Sequence, residues 1–219
     1  EQVLRDWVAE DVAACASLDT AVEQEFNVPA TIVAHADAIN ADLITLATHG
    51  RSGFRRFVLG SVTEKVLRTA HCAVLVVPPH APDAVPRPAV AYQRILCPID
   101  FSSSSRGVLE CAAALAHDAG GRITAAHIVE IPAEIRDHPL PSLEEFRSLS
   151  FEQARRCMKT LTAAVPVSAG VDELLLAGKP VREILRLAGE QQADLIVMGV
   201  QGRGAVDRLS SGPMWKATA

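Results

Sequence analysis

The chain has 219 residues, of which 49% are hydrophobic and 21% charged, so it is long enough for one large or two modest globular domains. Its formal net charge of -5 argues against a general nucleic-acid-binding protein, which usually presents a basic face. No apolar run approaches the roughly 18 residues that a membrane-spanning helix needs, so we expect neither nucleic acid nor a membrane among its partners.

The residue types of the core indicate a fold class and a compartment. Aromatic residues make up only 4% of the chain, so the core must be built from Ala, Val, Leu and Ile, which suit parallel sheets covered by helices. The five cysteines form no C-x-x-C pair and lie in apolar runs. This pattern predicts small buried hydrophobic residues in a reducing compartment, and hence a cytoplasmic location. The cysteines are Cys15, Cys72, Cys97, Cys111 and Cys157.

The first part of the chain contains three regular patterns. In order they are a helical pattern over residues 2–16, a buried-strand pattern over "DLITL" (42–46) and a strand pattern over "CAVLVVP" (72–78). A turn rich in glycine and arginine follows the first strand from Ala47, and a helix begins at Gly60 and Ser61. The spacing Ser61-x-x-Glu64 predicts a capping box at the start of that helix.

Strand and helix patterns alternate regularly in the second part of the chain. Strands are predicted over residues 94–100, 122–130, 171–178 and 194–200. Helices are predicted within 102–121, where two glycines end the helix, and over 143–164 and 180–192. Such alternation predicts a parallel sheet with right-handed crossovers, that is, an α/β fold.

Two segments of the chain resemble each other. "ADLITLATHGRSGFRRFVLGS" begins at Ala41 and "ADLIVMGVQGRGAVDRLSSGP" begins at Ala193, which gives an offset of 152 (193 − 41). Upstream, Pro29 corresponds to Pro180 with an offset of 151, which suggests that one residue has been inserted between. A period this long indicates a duplicated domain, because solenoid repeats run about 20–50 residues.

The turn after the predicted strand 42–46 has the properties of an anion site. Ligands of open α/β sheets bind beyond the carboxyl ends of the strands, at the point where the strand order reverses. Glycines let the backbone approach an anion closely, and the following helix presents unpaired N–H groups. The chain has neither G-x-x-x-x-G-K-[ST] nor a G-x-G-x-x-G after its first visible strand, which argues against a P-loop enzyme and a dinucleotide dehydrogenase.

A different spacing occurs in both copies. The first copy has Ala47-x2-Gly50-x9-Gly60-Ser61, and the second has Gly199-x2-Gly202-x9-Gly212-Pro213. With the shared "ADLI" start and the "AVLVVP" ending, this spacing resembles that of tandem universal stress proteins of the UspA-like type. The resemblance implies tandem Rossmann-like domains of the adenine nucleotide alpha hydrolase type, each an open parallel five-stranded sheet flanked by helices.

The resemblance also implies domain boundaries. Residues 1–79 correspond to the C-terminal part of a first universal-stress domain, residues 80–92 to a Pro-rich linker, and residues 93–219 to a second domain without its last strand. If the copies are alike, about 58 residues (152 − 94) precede Glu1 in the complete first domain. The family pattern further implies that the two halves pack about a pseudo-twofold axis, and it is compatible with a homodimer.

Family members that bind ATP carry the motif G-x2-G-x9-G-[ST], and the resemblance therefore implies a set of nucleotide-binding residues. In the first copy they are Ala47, His49, Gly50, Arg51, Gly53, Gly60, Ser61 and Val62. In the second copy they are Pro98, Asp100, Val129, Gly199, Gly202, Arg203, Gly204 and Gly212. Asp100 matches the acid that contacts the nucleoside, and Val129 matches the residue that lines the adenine. The implied ligand is ATP, or AMP or ADP, with or without Mg²⁺.

The two copies depart from the family motif at different positions. Ala47 replaces the first glycine of the first copy, and Pro213 stands where the second copy should have Ser or Thr. Proline removes both a hydroxyl and a backbone N–H, and losing donors to a charged acceptor costs about 1.5–3 kcal/mol. We therefore expect the first site to bind better, provided that the strand before Glu1 supplies its acid.

Several of these residues also have structural interpretations. Ser61 serves the capping box, the arginines 51, 55 and 56 are explained as solvated charges, and Asp100 is explained as a helix N-cap acceptor. The seven histidines share no metal-like spacing with cysteines or acids, so no metal site is predicted. No spacing assembles a catalytic set of side chains, so no catalytic residue is predicted either.

Three functions remain open at this point. The leading hypothesis is an ATP- or AMP-binding stress-response regulatory module with little or no catalysis. The second hypothesis is a nucleotide-free scaffold that binds partner proteins. Ala47 and Pro213 favour this hypothesis, because they depart from the nucleotide-binding motif. The third is a slow ATPase, against which the missing base and missing metal ligands argue.

Overall fold

The computed structural model describes residues 19–47, 60–78, 92–117, 120–131, 140–165 and 170–200. These residues form two compact units, with residues 19–78 in the first and 92–200 in the second. None of the helices in this described part combines the length and the hydropathy needed to cross a bilayer. The helix predicted over residues 2–16 lies outside the described residues.

The described residues of the first unit form two helices and two parallel strands. Its elements are α1 (Val28–Ala38), β1 (Leu43–Ala47), α2 (Ser61–Thr69) and β2 (Ala73–Val77). The two strands pair from Leu43↔Ala73 to Ala47↔Val77. Both helices contribute to one small core, which contains Val33, Ala36, Ile44 and Val66. The hydroxyl of Thr63 donates to the carbonyl of Ala47 at 3.0 Å and so ties the start of α2 to the end of β1.

The prediction of a capping box at α2 is wrong, because that motif requires Ser61 to be the N-cap residue and the helix begins one residue earlier. Gly60 is the N-cap residue, and its carbonyl accepts the first helical hydrogen bond from the amide of Glu64 at 2.9 Å. Ser61 is thus the first helical residue, and the N-cap residue itself makes no side-chain capping hydrogen bond. The carboxylate of Glu64 pairs with Arg68 at 3.0 Å within the same helix.

The described residues of the second unit form a four-stranded parallel sheet with the strand order β5-β4-β3-β6. Its elements are β3 (Arg94–Pro98), α3 (Ser105–His117), β4 (Arg122–Val129), α4 (Leu140–Ala163), β5 (Val171–Ala177), α5 (Pro180–Glu190) and β6 (Leu195–Ile196). The alternation of strands and helices that the sequence predicts is therefore confirmed. The count of five strands per sheet is not met, because the described residues supply two strands to the first sheet and four to the second.

Alternate residues of the strands face opposite helical layers. Ile95 and Cys97 of β3 pack with α3 and α4 in one buried cluster, whereas Leu96 packs with Ile184 and Leu187 of α5 in another. The chain passes from β3 to β4 and β5 by crossovers on one face, and α5 returns it along the other face to β6. The strand order therefore reverses between β3 and β6, which creates a crevice at their carboxyl ends.

The strand predicted over 194–200 is much shorter than expected. Among the described residues, β6 pairs only with β3 and at two positions, so it contains Leu195 and Ile196 alone. The amide of Val197 still donates to the carbonyl of Leu96 at 2.9 Å, after which the backbone leaves the sheet. The other predicted strands of the unit differ from those observed by one or two residues at their ends.

Helices α1 and α5 end with the same backbone geometry, 152 residues apart. Asn40 and Gln192 both have positive φ, 51° and 49° respectively. The next amide, that of Ala41 or Ala193, donates to the carbonyl five residues before it at 2.8 or 2.9 Å. This is the hydrogen bond by which a left-handed residue closes a helix end.

The inference of an inserted residue in this region is wrong. Helices α1 and α5 both contain 11 residues, beginning at Val28 and at Pro180, so the offset of 152 holds from start to end. Pro29 occupies the second helical position and Pro180 the first, and both positions tolerate proline because their amides have no partner within the helix. The offset of 151 thus reflects a shift of the proline along the helix.

The cysteines differ in exposure more than their apolar neighbours predict. Cys97 is buried, Cys72 and Cys157 are half-buried, and Cys111 is exposed. The expectation of burial is therefore wrong for Cys111, and Cys15 lies outside the described residues. Burial raises the pKa of the Cys97 thiol to about 12, and the nearby Cys111 contributes further in the same direction.

The difference in exposure between Cys97 and Cys111 predicts that iodoacetamide alkylates them selectively. At about pH 8 a thiol with a pKa of about 12 is only about one part in ten thousand thiolate, so Cys97 should resist iodoacetamide in the native protein. Cys111 should react readily because it is exposed. Mass spectrometry of tryptic peptides measures both, and denaturation in guanidinium chloride is the positive control. Equal labelling of Cys97 and Cys111 in the native protein would contradict the assignment.

Candidate functional site

Four of the predicted site residues lie at the carboxyl edge of the second sheet. Pro98 is the last residue of β3 and Asp100 follows it, Val129 is the last residue of β4, and Gly199 follows β6. Asp100 and Gly199 thus flank the crevice between β3 and β6, where the strand order reverses. Open α/β sheets bind their ligands in such a crevice.

The carboxylate of Asp100 organises the turn that leads into α3. Its Oδ1 accepts hydrogen bonds from the amide of Ser102 at 3.0 Å and from the hydroxyl of Ser105 at 3.1 Å. This is an Asx-turn, in which an aspartate side chain bonds the backbone two residues on. Because α3 starts only at Ser105, Asp100 is not the N-cap residue of that helix, and the N-cap interpretation is wrong.

Gly199 has a packing role in addition to any role in binding. A β-carbon at position 199 would lie 2.7 Å from the Oγ of Ser104 and 3.7 Å from a methyl group of Val108. The Ser104 hydroxyl lies 2.9 Å from that of Ser102, so it belongs to the same turn as Asp100. The second-copy glycine therefore brings the end of β6 against the turn after β3.

We expect Gly199→Ala to lower the free energy of unfolding by about 1–3 kcal/mol, because the new methyl group must displace the Ser104 hydroxyl. Combining it with Ser104→Ala should recover part of this loss, since the closest atom is then absent. Gly189→Ala is the matched control: nothing lies within 4 Å of its β-carbon position and the residue is helical. Urea unfolding measures all four proteins. Equal effects of the substitutions at 199 and 189 would refute the contact.

An aromatic pair lies beside this turn. Phe101 has φ of 58°, which is unusual for a bulky residue, and its ring centroid lies 4.4 Å from that of His127. The Nδ1 of His127 lies 2.7 Å from the carbonyl oxygen of Ile99, which requires Nδ1 to carry the proton and fixes the ring. With this backbone conformation, the Phe101 ring contacts the imidazole ring of His127 on β4.

A small half-open cavity of about 140 Å³ lies between this aromatic pair and α4. Its lining residues are Phe101, His127, Val129, Ser150, Gln153, Ala154 and Cys157. The four residues from α4 are spaced i, i+3, i+4 and i+7, so they form one face of the helix. Sites for drug-sized ligands are larger, about 300–1,000 Å³, so this cavity has room for a ring-sized group and not for a whole nucleotide.

The first unit brings together a second set of predicted site residues. Ala47 ends β1, Gly60 caps α2, Ser61 is exposed in the first turn, and Val62 packs against the core of the unit. The hydrogen bond between Thr63 and Ala47 holds the two ends of this turn together. The remaining predicted site residues lie outside the described residues: His49, Gly50, Arg51, Gly53, Gly202, Arg203, Gly204 and Gly212. Arg55, Arg56 and Pro213 also lie outside them.

Sequence reasoning missed the cavity. Its only member among the predicted site residues is Val129. A signal was present, because His127 is the one ionisable residue inside the apolar segment "ITAAHIV" and Phe101 is an aromatic residue directly after a strand. Within the described residues no three His, Cys, Asp or Glu side chains converge as metal ligands.

A parallel sheet with helices on both faces and a crevice at its switch point defines a Rossmann-like α/β protein. The sequence model of the universal stress protein family matches residues 9–78 and 91–214. The chain therefore belongs to the universal stress protein family, and the resemblance inferred from its tandem motif is confirmed.

Individual relatives agree with this assignment. A universal stress protein of Mycobacterium bovis is 28% identical over 187 residues, which cover 81% of this chain and 58% of the relative. One from Thermus aquaticus is 34% identical over 122 residues, which cover 55% of this chain and 86% of the relative. The crystal structure of a universal stress protein from Archaeoglobus fulgidus has a TM-score of 0.60 at 23% identity, covers 99% of this chain and 74% of its own, and supports the fold. The chain thus spans little more than half of its Mycobacterium relative.

Proposed function

We propose that this chain is an adenine-nucleotide-binding regulatory module of a cytoplasmic stress response, with little or no turnover. The observation that carries the proposal is the crevice between β3 and β6, where Asp100 and Gly199 meet across the Ser102–Ser104 turn. Gly199 is also the first glycine of the Gly-x2-Gly-x9-Gly spacing of the second copy.

Each group in the crevice has a chemical role in this proposal. The Asp100 carboxylate accepts hydrogen bonds from the nucleoside, because a carboxylate accepts hydrogen bonds at both of its oxygens. Gly202, Gly204 and Gly212 supply backbone amides to the phosphates, with Arg203 as a counter-charge. Mg²⁺ accompanies the phosphates where ATP is bound.

The first copy is proposed to bind the phosphates more firmly. Gly60, the N-cap residue of α2, has no side chain, so it leaves the amides of the first turn without a capping side chain of its own. The hydroxyl of Ser61 adds a donor there, whereas Pro213 offers neither hydroxyl nor amide in the second copy. His49, Gly50, Arg51 and Gly53 are the other residues of the first copy that the proposal assigns to nucleotide binding.

A nucleotide-free scaffold is the second candidate, and specific contacts favour it. The Asp100 carboxylate already accepts two hydrogen bonds within its own turn, and Gly199 is explained by its packing against Ser104. In that case the turn residues stabilise the fold and the surface binds partner proteins.

The two candidates differ in what co-purifies with the chain. We expect mass spectrometry of the denatured, purified protein to release ATP, ADP or AMP, and calorimetric titration with ATP to show saturable heat. Absence of both would establish the scaffold. Phosphate release from ATP should stay at background, and steady release that Gly50→Val abolishes would establish an ATPase.

A further inference from the structure

We propose that Ser105 is a positioning residue of the nucleotide site: its hydroxyl holds the Asp100 carboxylate in the orientation that accepts hydrogen bonds from the nucleoside. This inference rests on the proposed nucleotide-binding function and adds a residue of α3 that lies outside the glycine spacing. Ser105 is only 3% exposed, and within the described residues it is one of two buried polar side chains.

The Ser105 hydroxyl and a backbone amide act on the same carboxylate oxygen. A buried hydroxyl needs a hydrogen-bond partner, because leaving it unpaired costs free energy. The Ser105 hydroxyl donates to Oδ1 of Asp100 at 3.1 Å, and the amide of Ser102 donates to the same oxygen at 3.0 Å. These two donors fix the position of Oδ1. Because a carboxylate is planar, the position of Oδ2 then follows, and the direction in which the group presents its acceptors is set.

The two donors differ in what holds them. The Ser102 amide belongs to the same turn as Asp100, so it moves with that turn. Ser105 is the first residue of α3, and the buried face of this helix continues through Leu109 and Ala112, both 0% exposed. Close packing of this face fixes the helix, so Ser105 is the donor that ties the carboxylate to a rigid element.

The backbone between Asp100 and Ser105 is held in a costly conformation. Phe101 has a φ of 58°, in the left-handed region that bulky residues avoid. Such conformations cluster at functional sites, where the surrounding structure maintains them. Before the turn, the amide of Ile99 donates to the carbonyl of Ala126 at 2.8 Å, and after the turn α3 begins. A carboxylate that is pre-organised in this way loses less conformational freedom when a ligand binds.

The test measures calorimetric affinities of ATP and of inorganic tripolyphosphate in chains that all carry Gly50→Val. This change places a branched side chain in the glycine-rich segment of the first copy, so that binding reports on the second copy. Ser105→Ala should weaken ATP binding by about three- to tenfold, the change that one hydrogen bond supplies, and leave tripolyphosphate binding unchanged. Ser105→Thr keeps the hydroxyl and should restore ATP affinity to within about twofold of the parent. Ser103→Ala is the matched control, because Ser103 is an exposed serine of the same turn.

A double-mutant cycle separates positioning from a general effect on the fold. If Ser105 acts through Asp100, Ser105→Ala should change ATP affinity by less than about twofold in a chain that already carries Asp100→Ala. A further loss of about three- to tenfold in that chain would overturn the positioning role, because Ser105 would then act independently of the carboxylate.

Circular dichroism establishes that each variant is folded. Ser105→Cys, whose thiol is only a weak donor, replaces Ser105→Ala if the latter does not fold. A folded Ser105→Ala chain that binds ATP as its parent does, or that loses affinity for ATP and tripolyphosphate alike, would overturn the positioning role and leave the proposed function standing. A Gly50→Val parent that binds no ATP, where the wild-type chain does, would also overturn it. A wild-type chain that binds no nucleotide would remove the proposed function itself.

Discussion

Asp100→Ala is expected to weaken ATP binding by the second copy at least about tenfold and to lower the free energy of unfolding by about 1–3 kcal/mol. The stability loss follows because the Ser102 amide and the Ser105 hydroxyl lose the oxygen that accepts their hydrogen bonds. The affinity loss follows because the same carboxylate is the proposed acceptor for the nucleoside. Calorimetry in the Gly50→Val background and urea unfolding measure the two effects.

Asp100→Asn separates these two roles. Its side-chain oxygen can still accept from Ser102 and Ser105, so the free energy of unfolding should stay within about 1 kcal/mol of the parent. Its amide nitrogen replaces the second acceptor oxygen by a donor, so ATP binding should remain weak. Full ATP affinity in Asp100→Asn would show that this carboxylate serves the turn alone.

Leu109→Ala should have the largest effect on stability, about 2–5 kcal/mol. Leu109 is 0% exposed and lies in the cluster that joins α3 to β3 and β4. The truncation removes buried apolar surface and leaves a cavity that the surrounding residues cannot fully close.

Leu115→Ala is the matched control for this prediction. Leu115 lies on the same helix but is 41% exposed, so its truncation should cost less than about 1 kcal/mol. Urea unfolding followed by circular dichroism compares the two variants. Similar midpoints for Leu109→Ala and Leu115→Ala would contradict the packing of α3 described above.

The order of elements in the second unit was predictable because each element carries its own local signal. Pro180 marks the start of α5, and apolar runs mark the sheet strands. The parallel arrangement follows from the alternation of these signals. The end of α5 was less predictable, because Gln192 adopts a left-handed conformation that glycine usually supplies.

The cavity could not be predicted from local patterns. It combines Phe101 and His127 with one face of α4 that is remote in sequence, and only the packed sheet brings these together. The φ of Phe101 likewise depends on its tertiary contact with His127. The capping box at Ser61 failed for a related reason: Gly60 starts the helix, and Thr63 bonds to β1 at the start of α2.

The most direct test of the central claim is photo-crosslinking of the chain with 8-azido-ATP, followed by mapping of the labelled tryptic peptides. If the nucleotide occupies the β3–β6 crevice of a chain that carries Gly50→Val, saturable labelling that excess ATP suppresses should fall on residues 95–106, which contain Asp100. Saturable labelling of that chain that leaves residues 95–106 unmodified, or no saturable labelling at all, would contradict the claim.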